Sequence, residues 1–337
     1  MSFDEFINEW NDASDTIEVR TSGSTGTPKV MQVEKRRMLA SARATCGFLG
    51  LQAGDTALLC MSVDYIAGKM MVVRAIERGL QLLSVAPSSH PLALPDFSDE
   101  MGKNVVFAAM VPMQVYSSLQ VEREREILGH IRHIIIGGGP LDPSLEDQLR
   151  AFDNAIWHSY GMTETLSHVA LRRVSGSGAT PWFTPMPGVS LSVNDDQCLV
   201  IEAPHLCPER LVTRDVVEME PGTQRFKVLG RIDNVIITGG VKIHIEQVEQ
   251  TLAPHLSLPF LITKCPDARF GEIVVMLLQG TAGDIPAVKA ACDSLLTRFA
   301  RPKRILPVNA LPMTPTGKPA RHEAAQIALR LCQATPR

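Results

Sequence analysis

The 337-residue chain has no surplus of positive charge: 33 Lys and Arg stand against 36 Asp and Glu, for a formal charge of −3. That balance excludes a generally basic nucleic-acid binder and leaves room only for a local patch. No Cys-x-x-Cys pair or regular cysteine framework is present. The seven cysteines fall at 46, 60, 198, 207, 265, 292 and 332 and are expected to be reduced and mostly buried. No run is long and apolar enough to span a bilayer, so membrane insertion is not expected. Met1–Asp15 is polar and acidic, without the apolar segment of a signal peptide, which points to the cytoplasm. Internal repeats and low-complexity tracts are absent too. What is there is the composition of a folded chain, 45% apolar and 20% charged, with length for about two domains.

From Ile17 to Trp157 short apolar runs alternate with helical stretches. Candidate strands are Thr56–Met61, Leu80–Val85, Asn104–Met110 and Ile131–Ile136. Val33–Gly50 places Met38, Leu39, Ala42, Cys46 and Leu49 on one helical face, and Ile66–Arg78 reads as a second, largely buried helix. This alternation predicts a parallel sheet covered on both faces. Beyond Arg172 the pattern changes. Three prolines fall between Pro181 and Pro187, and Leu191–Val193 and Leu199–Ile201 flank the polar turn 194–197, which predicts an antiparallel β subdomain. From Gly230 helical stretches (Ile243–Leu252, Ile285–Ala300, Ala320–Leu331) alternate with strands (Leu261–Lys264, Ile273–Leu278, Lys303–Val308), as in a small α+β domain. The expected fold is therefore α/β, with a large body over residues 1–232 and a small mobile α+β domain over 233–337.

The stretch Thr21-Ser22-Gly23-Ser24-Thr25-Gly26-Thr27-Pro28-Lys29 follows the apparent strand Thr16–Arg20. Small residues let a backbone curl and turn amides and hydroxyls toward one anion, and Lys29 adds a mobile charge. The spacing is not that of a Walker loop. By composition alone a flexible surface turn is an equal reading.

Four further segments follow in order: Gly137-Gly138-Gly139-Pro140, Tyr160-Gly161-Met162-Thr163-Glu164, Gly230-Arg231-Ile232-Asp233-Asn234 leading into Gly239-Gly240-Val241-Lys242 with Glu246 and Glu249, and Pro315-Thr316-Gly317-Lys318. With the Ser/Gly/Thr loop they resemble the acyl-adenylate-forming, AMP-binding enzymes over some three hundred residues. The resemblance implies an ATP-dependent acid–thiol ligase: a carboxylate attacks the α-phosphate of ATP, and a thiol then takes the acyl group. It implies Mg²⁺ as cofactor and ATP, CoA and a small carboxylic acid as partners.

By the same resemblance Thr21–Thr27 and Lys29 hold the β- and γ-phosphates, and Glu164 helps hold Mg²⁺. Tyr160 stacks on adenine, with Ser159, Gly161, Met162 and Thr163 beside it. Gly138, Gly139 and Pro140 form a wall of the nucleotide site, and His158 makes a polar contact to the base. Asp215 binds the ribose hydroxyls, although Thr213-Arg214-Asp215 stands where the family usually reads TGD. Arg231 reaches ribose or phosphate. Lys318 bridges acyl carboxylate and α-phosphate in the first half-reaction. Asp233 is the hinge, and Gly239, Gly240 and Lys242 then meet CoA. Lys69, Gly137, Gly138, Thr165 and Ser167 are the expected acyl-pocket neighbourhood.

Lys69 lies in an apolar helix, where a lysine either snorkels to the surface or neutralises a second carboxylate on the substrate. The wording YGMTETLSHVAL and GRIDNVIITGGVKI is most similar to the branch that ligates 2-succinylbenzoate to CoA in menaquinone biosynthesis, particularly its short forms. Another small or aromatic carboxylate, an enzyme loading a separate carrier, and a non-catalytic nucleotide binder are the alternatives. Family members commonly carry a sizeable subdomain before the phosphate loop, which here starts at Thr21. A compact active form is expected; a homodimer is one way of covering any apolar face left open.

Overall fold

The computed structural model describes residues 2–20, 30–93, 104–314 and 319–334. The chain divides into two compact units, one of Met1–Ser192, Val200–Val212 and Met219–Lys227, the other of Val193–Leu199, Thr213–Glu218 and Val228–Arg337.

The first unit opens with helix α1 (Phe3–Trp10), which sequence patterning did not anticipate. Ser2 and Glu5 form a reciprocal capping box, and Phe6 and Trp10 bury one face. Strands β1 (Thr16–Arg20) and β2 (Val30–Glu34) pair antiparallel from Thr16↔Glu34 to Arg20↔Val30 and flank residues 21–29. Helix α2 (Lys35–Leu49) starts later than expected, because Val33 and Glu34 belong to β2, and ends on Gly50 in the left-handed region.

Then come β3 (Thr56–Leu59), α3 (Ile66–Arg78), β4 (Gln81–Ser84), β5 (Val105–Met110), α4 (Pro112–Leu119), α5 (Glu122–His130), β6 (His133–Ile136), α6 (Pro143–Leu149), β7 (Ala155–Gly161), β8 (His168–Arg173) and β9 (Thr184–Pro185). They build a seven-stranded sheet in the order β4-β3-β5-β6-β7-β8-β9. β4 through β7 run parallel, as expected, and β8 and β9 turn antiparallel. Leu58, Ala108, Met110, Ile134, Ile136 and Ile156 from the strands pack with Val115, Leu119, Ile127, Leu145 and Leu149 from the helices. Continuous apolar strands need such cover on both faces.

The expected β subdomain is a four-stranded sheet in chain order: β10 (Ser190–Val193), β11 (Cys198–Glu202), β12 (Leu211–Met219) and β13 (Phe226–Arg231). Its first turn is held by Asn194 Oδ1, which accepts from the amides of Asp196 and Cys198.

The second unit contains β14 (Val235–Thr238), β15 (Val241–His244), α7 (Ile245–Leu252), β16 (Phe260–Asp267), β17 (Gly271–Gln279), α8 (Ile285–Leu295), β18 (Arg304–Val308) and α9 (Arg321–Ala334). β17 pairs antiparallel with β16 and parallel with β18. Its side chains alternate between two cores. Val274, Met276 and Leu278 pack with Val248, Leu252, Val288 and Cys292, whereas Ile273, Val275 and Leu277 pack with Ala324 and Ala328. The period of two thus sends α7 and α8 to one face and α9 to the other.

Candidate active site

Open α/β sheets bind ligands beyond the carboxyl ends of their parallel strands. In the first unit those ends carry the glycine run after β6 and the YGMTE segment after β7. His158 lies opposite Ile136 in the β6–β7 register. Gly138 turns the chain at a φ of 87°, open to glycine at little cost. Gly161 is required by close approach: a Cβ there would lie 2.4 Å from the Ser167 carbonyl oxygen and 2.5 Å from His168 Cα. That contact sits at the β7–β8 irregularity and folds residues 162–167 back on the strand end.

Thr165 locks this return. Its hydroxyl accepts from the Met162 amide at 3.0 Å and lies 2.7 Å from the Ser167 carbonyl, and Leu166 takes a φ of 66°. Thr165 is fully buried with its hydroxyl engaged by backbone, so it shapes the neighbourhood expected for it and does not line it. Glu164 is exposed, with no ion pair or hydrogen bond among the described residues. No cluster of three or more metal-ligating side chains occurs among the described residues. A single free carboxylate suits Mg²⁺, which keeps waters and takes phosphate oxygens.

A buried line of polar groups, not foreseen in the sequence, braces the glycine run. Glu146 on α6 accepts two bonds from Arg172 on β8, at 2.8 and 2.6 Å. Arg172 Nε donates to His158 Nδ1 at 3.2 Å, and His158 Nε2 then donates to the Gly139 carbonyl at 3.0 Å. Burial, reinforced by the Arg172 charge, pushes the ring down to about 4, so it is neutral. Burial would raise Glu146, but the Arg172 fork prevails and its pKa is lowered. The family resemblance implies a contact from His158 to the base; in the structure both ring nitrogens are engaged within the protein. Arg172 also lies over the Phe183 ring at 5.4 Å, Phe183 stacks on Phe226, and Phe226 meets Tyr160 edge-on at 5.1 Å. Tyr160 is thus oriented by aromatic neighbours at the end of β7.

Lys69 does neither of the things expected of it. It is 3% exposed, donates to the Glu18 carbonyl at 2.7 Å, and lies 3.6 Å from the Glu9 carboxylate and over the Phe6 ring. Its charge is answered within the fold. Arg74, one turn further along α3, is different. It is equally buried and has no carboxylate partner among the described residues. Its Nη2 donates to Ser167 Oγ at 2.6 Å and its Nη1 to Met71 Sδ at 3.7 Å, while Nε has no hydrogen-bond partner among the described residues. Burial lowers it to about 10, so it stays charged at neutral pH. Ser167 faces His168 Nδ1 at 3.3 Å, and His168 Nε2 faces Thr45 Oγ1 at 3.1 Å. Burial, then Arg74, holds His168 well below its usual pKa, so this line supplies no counter-charge. Arg74, like Lys69, is a cation in an apolar helix, and the same sequence signal marks both.

In the second unit, Asp233 is clasped by two arginines. Arg214 forks onto its carboxylate, with Nε to Oδ2 at 2.6 Å, and Arg231 Nη2 lies 3.4 Å from Oδ2. The Arg214 hydrogen bond chiefly holds Asp233 below the usual carboxylate range. Asp215 lies beside this clasp in sequence, its amide bonded to Thr213 Oγ1. Gly239 and Gly240, both at positive φ (56° and 82°), form the two-residue turn between β14 and β15, which pair from Val235↔His244 to Thr238↔Val241. That is a structural need for both glycines; Lys242 is exposed on β15. Glu249 holds Arg321 through two 2.6 Å bonds, tying α7 to the first residue of α9. Met313 and Pro319 pair in an isolated bridge. The expected phosphate-loop residues Thr21, Ser22, Gly23, Ser24, Thr25, Gly26, Thr27 and Lys29, and Lys318, lie outside the described residues.

The family described as AMP-binding enzyme matches residues 16–203, more than half of the chain, and the chain belongs to that family. Among curated relatives, the 2-succinylbenzoate–CoA ligase of Enterococcus faecalis is 25% identical over 330 residues, covering 90% of this chain and 67% of its own. The chain thus spans about two thirds of that relative's length. Among solved structures, the acyl-CoA synthetase (AMP-forming)/AMP-acid ligase II-like protein from Dyadobacter fermentans is 32% identical, with a TM-score of 0.64 over 95% of this chain and 91% of that one. The o-succinylbenzoate CoA synthetase of Bacillus subtilis, solved with its acyl-adenylate intermediate, shares the fold at a TM-score of 0.74 and 21% identity, covering 91% of this chain and 68% of that one.

Proposed function

We propose that the protein is an AMP-forming acid–CoA ligase whose carboxylic acid is 2-succinylbenzoate. The substrate carboxylate attacks the α-phosphate of ATP and expels pyrophosphate; the CoA thiol then displaces AMP to give the thioester. Family membership and the relatives' names support the reaction class. The observation that carries the substrate reading is Arg74, a buried guanidinium with no carboxylate partner and an unsatisfied, buried Nε among the described residues. A lone buried cation is costly unless something answers it. A second carboxylate on the substrate, distinct from the one that reacts, would do so, and a dicarboxylic acid such as 2-succinylbenzoate brings one.

The other roles follow as proposals. Two anions must meet in the first step, so positioning and charge neutralisation dominate. Thr21–Lys29 would hold the terminal phosphates and Lys318 would bridge the reacting carboxylate and α-phosphate. Tyr160 would stack on adenine against the Gly137–Pro140 wall, which the His158 bond to Gly139 keeps in place. Asp215 and Arg231 would take the ribose. Glu164 would hold Mg²⁺, which when bound neutralises phosphate charge. The unit from Asp233 onward would alternate, withdrawing Lys318 and presenting Gly239, Gly240 and Lys242 to the pantetheine arm.

Arg74→Met tests the substrate reading. It should raise the KM for 2-succinylbenzoate about a hundredfold, the scale of a lost charged hydrogen bond, while the KM for ATP moves little. Equal KM changes for both substrates would contradict it.

A further inference from the structure

The second unit holds a pair of thiols that neither the adenylation nor the thioester step uses. Cys265 Sγ on β16 donates to Cys332 Sγ on α9 across 3.3 Å. Cys265 is 2% exposed, within the core that Leu261, Ile273, Ala324 and Ala328 share, whereas Cys332 is only partly buried at its edge. Arg304 fixes the backbone at this point, its Nη1 donating to the Cys332 carbonyl at 2.8 Å. A disulfide is roughly 2.0 Å long, so the sulfurs must close by about 1.3 Å, within reach of side-chain rotation.

We propose that Cys265 and Cys332 are an oxidisable dithiol that a peroxide converts to a disulfide stapling α9 to β16. The order of events follows from access. Cys332 is the sulfur a small oxidant reaches from solvent. Its thiolate attacks one peroxide oxygen, the O–O bond breaks, and Cys332 becomes a sulfenic acid as the other oxygen leaves as water. The Cys265 sulfur then attacks Cys332, the S–O bond breaks, and hydroxide leaves with the Cys265 proton as a second water. Two thiols lose two electrons and two protons, and one peroxide is reduced to two waters. Cys265 is a poor starting point, because burial raises its pKa to about 12 and leaves little thiolate. It is well placed as the resolving group, being the nearest thiol. The remaining five cysteines are buried.

The test is to treat the full chain with a small excess of hydrogen peroxide, alkylate, and map the peptides by mass. The expected result is a 2 Da loss, one cross-link between the peptides of Cys265 and Cys332, reversal by dithiothreitol, and slower amide exchange across Arg321–Ala334. Cys265→Ser should leave Cys332 as a sulfenic acid trapped by dimedone, and Cys332→Ser should abolish the cross-link. Alkylation of both thiols after peroxide treatment would overturn the proposal. So would a sulfinic acid on Cys332 with Cys265 still a free thiol. If Cys265→Ser does not fold, Cys332→Ser and the wild-type map decide between these outcomes by themselves.

Discussion

At the scale of single residues, charge and burial separate two cations that look alike in sequence. Lys69 and Arg74 both interrupt an apolar helix, yet Lys69 bonds 51 residues away to Glu18 and Arg74 bonds 93 residues away to Ser167. Nothing local distinguishes them, because their partners are brought in by the sheet. Arg74→Lys should therefore rescue Arg74→Met only in part, since an ammonium keeps the charge but lacks the planar fork; KM for 2-succinylbenzoate is the readout. His158 gives a pH signature. With its native pKa depressed to about 4, the unfolded chain takes up the proton first as pH falls. Its contribution to stability is complete above about pH 6.5 and is lost progressively between there and pH 4, on the order of 3 kcal/mol in all. His158→Gln should flatten that part of the stability–pH curve measured by urea unfolding. His168, depressed in the same direction, would leave a residual slope.

At the scale of elements, most of the fold was legible. Four of the five parallel strands, the helix Ile66–Arg78 and the polar turn at Asn194–Gln197 all stand within a few residues of where periodicity puts them. Helix α1 was missed because its apolar face rests on only Phe6 and Trp10; the Ser2–Glu5 capping box was the available signal. The glycines were legible as motif members, but their physical reasons were not. Gly239-Gly240 closes a hairpin, and Gly161 admits the Ser167 backbone. Gly161→Ala should accordingly destabilise the protein by roughly 2–4 kcal/mol, because backbone atoms must move to admit the methyl. Gly139→Ala, with nothing within 4 Å of its Cβ, should cost under about 1 kcal/mol. Comparing the two by thermal unfolding separates close packing from loop flexibility.

At the scale of the whole molecule, the sequence motifs and the structure bear on different halves of the chemistry. Five segments in order point to the family, while the Glu146–Arg172–His158 line and Arg74, which has no carboxylate partner among the described residues, became visible only once α3, α6, β7 and β8 were assembled. The proposed alternation of residues 233–337 predicts that Lys318→Ala abolishes adenylation yet largely spares thioester formation from supplied acyl-adenylate; equal loss in both assays would reject that division of labour. The most direct test of the account is ATP–pyrophosphate exchange against a panel of mono- and dicarboxylic acids, followed by addition of CoA. Exchange with 2-succinylbenzoate well above any monocarboxylate, and conversion to 2-succinylbenzoyl-CoA when CoA is added, is the predicted result. Strong exchange with a monocarboxylate and none with 2-succinylbenzoate would contradict it.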